Sequence, residues 1–476
     1  MNLLPAKGIM LLLVALLVTG CSSYEPDLCS VSPGGSYRHG SGGDMLPPGN
    51  WWKEFDDTAL NELMCRFDES NPSLDAALAR REQVRASLGI EAAGFYPTVV
   101  GDLSAKRHRD SQNGLFVPES PLYSQFEAAL NLQYEIDLWG RVRKSVAAAR
   151  SDYLASEGDF AAAILSLKAS LARNYYQFRY IEEEIDVVRE TVDLRQQNRD
   201  LIKVRVDAGD TTDLDLARAD AELETARAQQ LELERSREEF YHAIAALVGT
   251  TPAEFTMPKR DPRISVPEFP PGGFPCELLS RRPDVYAARE RVCAATARIG
   301  VTAAEFLPRF TIAGTGGVSS LKLSTLLDPD SLFGNIGPEI RIPVFQAGRS
   351  KSEIARAEEV AKESLALYRE AVLNAVRDTE TSVSDASWLD RQIVALRRSD
   401  AASAKAGRLS RARYEDGLVS YLEVIDADRV ALNARRELIR TRTARQLAAI
   451  RAVQALGGGW AVCLDSEPQV VATPVE

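Results

Sequence analysis

The sequence predicts a mainly α protein whose four β-strands cannot close on themselves, built as two tandem copies of one large unit. Three observations lead there. The two halves repeat each other at an offset of about 210 residues, long period-two alternations interrupt the helical patterns, and two very long stretches lack proline and nearly lack glycine. Arg205-Val206-Asp207-Ala208-Gly209, then Leu214, Asp220, Ala226 and Arg227, align with Arg413-Tyr414-Glu415-Asp416-Gly417, then Leu422, Asp428, Ala434 and Arg435. Gly140-Arg141 aligns with Gly348-Arg349 in that frame. With a three-residue slip, Pro72…Ala92-Ala93-Gly94-Phe95-Tyr96-Pro97 aligns with Pro283…Ala303-Ala304-Glu305-Phe306-Leu307-Pro308. The period is far too long for a solenoid, so each unit is a large piece of architecture.

Residues 1–20 read as a targeting segment. Lys7 supplies a positive start, and the apolar run Ile9 to Val18 is too short to span a bilayer. Val18-Thr19-Gly20-Cys21 resembles a bacterial lipoprotein signal, with Val18 where that signal usually has leucine. The resemblance implies a diacylglycerol and an N-linked palmitoyl chain on Cys21, and Ser22 rather than Asp implies export onward to the outer membrane. Residues 21–70 are then a lipid-anchored N-terminal segment.

Repeat 1 spans 71–249, a proline-rich linker 250–276, repeat 2 277–456 and a tail 457–476. Each repeat reads helix, strand, loop, strand, very long helix, tight turn, helix. Asn71-Pro72 and Arg282-Pro283 open the first helices, since proline lacks an N–H that the first turn leaves unused. Pro97 and Pro308 end them. Strands are expected near 98–109 and 123–138, then near 309–319 and 333–345. Phe126, Ala128, Leu130, Leu132, Tyr134, Ile136 and Leu138 alternate with Gln125, Glu127, Ala129, Asn131, Gln133, Glu135 and Asp137. Period two means a strand with one apolar face, here long enough to cross a bilayer at a tilt.

Long helices follow at 141–207 and 349–415, each reaching about 100 Å at 1.5 Å per residue. Phe160, Ile164, Leu167, Leu171, Phe178, Ile181, Ile185, Val188 and Val192 recur at steps of three and four, as do Val372, Val376, Thr379, Val383, Ala386 and Ile393. Such a seam belongs to a coiled coil. Gly209 and Gly417 stand where a helix end needs positive φ, and Thr211, Thr212 and Ser420 can cap the returning helices at 213–248 and 421–456. Seven prolines in 250–275 make an extended linker.

Composition narrows the function. Aromatics are 7% and charged residues 26%, which suits long helices, and a net charge of −11 argues against nucleic acid. No stretch after residue 20 holds eighteen consecutive apolar residues, so no transmembrane helix is expected. His39, His108 and His242 are scattered, no phosphate-binding glycine loop exists, and no enzyme constellation appears. Cys29, Cys65, Cys276, Cys293 and Cys463 form no Cys-x-x-Cys pair, so no metal is expected and their pairing stays open. Four strands cannot close a barrel, and only a closed barrel spans lipid without orphan backbone groups. The chain must lend its strands to an oligomer. Eight from a dimer or twelve from a trimer satisfy closure, and the acidic and amide face of 125–137 favours the water-filled twelve. Three sets of helices would then form a cylinder continuous with that barrel.

Beyond this, the chain resembles the TolC family of outer-membrane channels, most of all its OprM-like lipoprotein branch. The matching words are Tyr134-Glu135-Ile136-Asp137-Leu138-Trp139-Gly140-Arg141, Leu278-Leu279-Ser280-Arg281-Arg282-Pro283-Asp284, Ile340-Arg341-Ile342-Pro343-Val344-Phe345, Arg413-Tyr414 with Gly417, Asp426-Ala427, and Ala455-Leu456-Gly457-Gly458-Gly459-Trp460. Their order spans Trp51 to Trp460. The resemblance implies a homotrimeric exit duct in the outer membrane, reaching into the periplasm and docking on an adaptor protein and an inner-membrane transporter. It also implies site residues. Leu422, Asp426 and Arg429 match those that narrow the periplasmic end of OprM-type channels, and Glu423 with Asp426 matches the paired aspartates of TolC itself. Tyr414 and Asp215 match a pair that bridges adjacent hairpins, while that lock's second arginine falls on Val419 here. The leading function is passive exit of drugs or other small molecules from a tripartite efflux pump. Type I protein secretion and a periplasmic coiled-coil scaffold are the alternatives.

Overall fold

The structure, a computed structural model, describes residues 49–111, 113, 122–259 and 281–460. The signal segment with Cys21, most of the linker, Cys29, Cys276, Cys463, Leu278-Leu279-Ser280 and the tail from 461 lie outside the described residues. In chain order the elements are α1 (Thr58–Ser70), α2 (Pro72–Ala92), β1 (Thr98–Arg109), β2 (Leu122–Ile136), α3 (Arg141–Asp207) and α4 (Asp213–Leu247). Then come α5 (Pro283–Glu305), β3 (Arg309–Ser320), β4 (Leu332–Arg341), α6 (Arg349–Glu415) and α7 (Tyr421–Ala455). The chain is mostly helical with one sheet. α3 and α6 have 67 residues each, α4 and α7 35 each, and β1 and β3 12 each.

The four strands form an antiparallel sheet in the order β1-β2-β3-β4. Its register sorts most of the side chains, with Val100 and Phe333 the large apolar exceptions on the polar face and Arg107 and Arg109 the charged ones on the apolar face. Val99 faces Leu132, Leu103 faces Ala128, Ile312 faces Tyr134, Phe310 faces both Ile136 and Ile340, and Val318 faces both Ala128 and Leu332. One face is therefore apolar across four strands, because residues two apart share a side. It lies open in the single chain: Leu103 is 86%, Ile336 75% and Leu332 70% exposed. The opposite face is polar. There Asn131 donates to Asp102 at 2.6 Å and accepts from Thr315 at 2.7 Å, a ladder across β1, β2 and β3. β4 ends at Arg341 rather than near 345, since Pro343 brings no N–H to a ladder, and Ile342, Val344 and Phe345 project into the open. No described helix is long and apolar enough to cross a membrane.

The strands hand over to the long helices at a built junction. Asp137 accepts from the N–H groups of Val142 and Arg143 at 3.1 and 3.0 Å, capping α3, and Arg141 grips Glu135 at 2.8 and 2.9 Å. Burial works against the Asp137 charge, but those N–H groups and the Arg143 guanidinium outweigh it and hold the carboxyl below its usual range. Trp139 Nε1 donates to the Pro308 carbonyl at 2.7 Å and ties this corner to the start of β3.

The main core sits about halfway along α3, roughly 45 Å from the strands at 1.5 Å per residue. Trp51, Trp52, Phe55, Leu60, Leu63 and Phe67 pack there against Leu171, Tyr175, Tyr176 and Phe178 of α3, with the last turns of α4 and α7. The N-terminal segment, expected only as a lipid-anchored lead-in, thus supplies six of the twelve largest fully buried side chains among the described residues. Asp57 pins it: one carboxylate oxygen caps α1 at Ala59 and Leu60, and the other accepts from Tyr175 at 2.8 Å.

Each repeat closes its first helix onto its last at this level, by an equivalent contact. Asn71 Nδ2 donates to the Leu247 carbonyl that ends α4, and Arg282 donates at 3.3 Å to the Ala455 carbonyl that ends α7. Gly249 and Gly457 follow those helices at φ of +75° and +84°. A Cβ on them would lie 1.9 Å from the Ser70 oxygen and 2.2 Å from the Arg281 oxygen.

Candidate functional site: the hairpin tips

Each long helix ends in a glycine turn. Gly209 and Gly417 have φ of +79° and +71°. Gly209 donates to the Val206 carbonyl at 2.9 Å and Asp210 to Arg205 at 2.8 Å; Gly417 donates to Tyr414 at 3.0 Å and Leu418 to Arg413 at 2.8 Å. This paired pattern satisfies the last helical carbonyls and needs a left-handed residue at the glycine. The returning helices start differently from expectation. Thr212 and Ser420 occupy the cap positions, yet their side chains take no helical N–H. Their backbone carbonyls accept from Asp215 and Glu423 instead, while the Thr211 hydroxyl turns to the Asp215 carboxylate at 2.8 Å.

The two tips pack on one another inside a single chain. Ile202 and Ala219 of the first hairpin bury against Tyr421, Val424 and Ile425 of the second, flanked by Val206, Leu216 and Tyr414. Arg205 lies 5.0 Å over the Tyr414 ring, and Tyr414 meets Tyr421 at 5.5 Å. Burial, then the charge of Asp428, pushes the Tyr421 hydroxyl up to about 12, so it stays neutral at physiological pH.

Burying 421, 424 and 425 of α7 fixes what its other face presents. Leu422, Glu423, Asp426 and Arg429 are all exposed there, at steps of one, three and three. The structure therefore brings the four together on one free stripe. It does not join Tyr414 to Asp215: Asp215 is held by Thr211, Thr212 and Arg218 of its own hairpin. Val419, where a second locking arginine would stand, is half-buried.

A network invisible in the sequence backs this stripe. Arg429 donates to the Glu222 carboxylate of α4. Glu222 also pairs with Arg195 of α3 at 2.9 Å, and Arg195 donates to the Glu222 carbonyl at 2.6 Å. The Arg429 guanidinium is held strongly protonated, first by that hydrogen bond and by the charge of Glu222, with Asp426 adding to it. Arg411 grips Asp428 at 2.9 Å, and Gly407 leaves the room Asp428 occupies, 3.1 Å from where a Cβ would stand. No periodicity announces Glu222, because its partners lie 27 residues before and 207 after it.

Comparison with known proteins completes the picture. The family model "Outer membrane efflux protein" matches residues 66–250 and 275–458, one match in each half of the chain. The chain belongs to this family. It is 32% identical to outer membrane protein OprJ of Pseudomonas aeruginosa over 468 residues, covering 96% of each chain. It is 28% identical to the cation efflux system protein CusC of Escherichia coli, covering 94% of this chain and 97% of that one. Among solved structures, the outer-membrane channel OprN superposes with a TM-score of 0.84 at 28% identity, over 92% of this chain and 99% of that one. The Campylobacter jejuni CmeC channel shares the fold at a TM-score of 0.86 and 24% identity, over 93% and 96%. The chain is thus an outer-membrane efflux channel protein. The exposed apolar sheet is its membrane part, and the long helices extend from it into the periplasm.

Proposed function

We propose that three copies of the chain close a twelve-stranded barrel continuous with a helical cylinder, the passive exit duct of a tripartite efflux pump. One observation carries this reading: a four-stranded sheet, apolar on one face and polar on the other, with both outer edges, β1 and β4, unpaired among the described residues. Lipid demands closure of those edges, and the Asp102–Asn131–Thr315 ladder suits a wet interior. The free stripe of Leu422, Glu423, Asp426 and Arg429 forms the periplasmic aperture, where a threefold axis makes each residue a ring. Tyr414 and Asp215 bridge hairpins of neighbouring copies and keep the tip shut. Opening is biased by a periplasmic adaptor protein, and an inner-membrane transporter supplies the energy.

Cys21 carries the lipid anchor, in keeping with the description of a 27% identical relative as a probable outer membrane lipoprotein, SilC of Salmonella typhimurium. Relatives of 28–29% identity bear names for pyoverdine export, toluene efflux and cation efflux. Cargo that diverse fits a duct for small molecules whose selection lies with its pump partners. The mass of the purified, detergent-solubilised protein tests the assembly. Three chains per particle are expected, and a monomer with no larger species contradicts it.

A further inference from the structure

The aperture stripe contains one cation among its two carboxylates, and the structure shows what that cation does. Arg429 follows Asp426 by three residues on the same helical face, a spacing at which an arginine ordinarily neutralises the acid before it. Here it turns away. Its guanidinium reaches across to α4 and hydrogen-bonds Glu222. The Glu222 side chain is only 11% exposed, against 56% for Arg429, so the acid is fixed and the cation comes to it. Arg195 does the fixing, through both the carboxylate and the backbone carbonyl of Glu222. The arrangement exists once per chain: the repeat counterparts of Glu222, Arg195 and Arg429 are Val430, Ser403 and Ala221.

We propose that Glu222 is a positioning residue of the aperture: from the wall it holds the Arg429 guanidinium away from Asp426, so that no ion pair within the stripe screens the carboxylates of Glu423 and Asp426. The inference rests on the aperture reading above. A ring of carboxylates in a narrow passage attracts cations and repels anions, and a guanidinium released beside it weakens that field. Geometry, not charge count, is what Glu222 contributes. Glu222→Asp keeps the charge but withdraws the carboxylate by about one C–C bond, ~1.5 Å.

The test is the cation-over-anion permeability ratio of the full-length protein in planar bilayers, from reversal potentials in a salt gradient. E222D and E222Q should each lower the ratio roughly twofold or more. Adding R429Q to E222Q should restore it, because the released cation is gone. E222D also decides the matter if the glutamine variant does not fold. E423Q/D426N separates the two levels. If that double variant loses selectivity while E222D keeps the wild-type ratio, the aperture stands and the role of Glu222 is overturned. If E222Q/R429Q stays as low as E222Q, Arg429 is not the agent and the proposal falls. If E423Q/D426N leaves the ratio unchanged, the aperture reading and this proposal fail together.

Discussion

Gly457→Ala should be among the most damaging single-methyl additions in this chain, and its cost can be worked from the geometry. At φ +84° an alanine takes the left-handed backbone, which costs roughly 1–2 kcal/mol. Its Cβ would also stand 2.2 Å from the Arg281 carbonyl oxygen, where ordinary contact begins at 3.4 Å. The obstacle is backbone, so α5 and the end of α7 must part by about an ångström, straining the Arg282 bond to the Ala455 carbonyl. Overpacking of this kind adds about 1–3 kcal/mol, bringing the total to roughly 2–5 kcal/mol. Gly249→Ala should behave alike, with Ser70 as the obstacle. Gly209→Ala and Gly417→Ala are the controls. They have φ of +79° and +71° and the same turn, but no atom within 4 Å of the added methyl, so only the first cost applies. Thermal melts in detergent by circular dichroism, at one scan rate, should rank 457 and 249 well below 209 and 417. Equal losses at Gly209 and Gly457 would refute the close-approach reasoning.

Cys21→Ser should abolish labelled-palmitate incorporation; a wild-type protein that takes up no label would remove the lipoprotein reading. Tyr414→Phe with Asp215→Asn should raise single-channel conductance if the pair ties neighbouring hairpins, and unchanged conductance would leave Tyr414 as packing against Tyr421 alone. Acid should loosen the mid-helix junction. Burial opposes the charge on Asp284, but the Arg282 guanidinium outweighs it and keeps the carboxyl below the usual range. A depressed carboxyl adds stability that is complete above its unfolded value near 4 and is lost as pH falls through the folded one. Melting temperature should therefore drop below about pH 4, and Asp284→Asn should flatten that drop. A melting point that rises on acidification would contradict the sign.

The helices and strands were legible because each carries its own punctuation. Gly140 and Gly348 precede α3 and α6, Gly209 and Gly417 follow them, all at positive φ, and the alternation from Phe126 to Ile136 survives intact in β2. Sheet order and register were not legible, since pairing β2 with β3 joins residues some 180 positions apart, such as Asn131 and Thr315. The core was half hidden for the same reason. Trp51, Trp52 and Phe55 show no helical period, and only the fold sets them against Tyr175 and Tyr176. At the tips, the spacing of Leu422, Glu423, Asp426 and Arg429 gave one helical face but not its direction. Direction came from Tyr421, Val424 and Ile425 burying against the other hairpin. Threonine capping is not realised because the Asp215 carboxylate, four residues after Thr211 and three after Thr212, draws both hydroxyls to itself as donors.

Single-channel recording of the purified full-length protein in a planar bilayer tests most directly whether this chain forms a gated duct with its aperture at Glu423 and Asp426. The wild type should insert as small, cation-selective steps blocked by divalent or trivalent cations, and E423Q/D426N should lose much of both selectivity and block. Insertion without any conductance, in wild type and in the Tyr414→Phe/Asp215→Asn variant alike, would contradict the duct, and selectivity and block indifferent to the carboxylate pair would contradict its aperture.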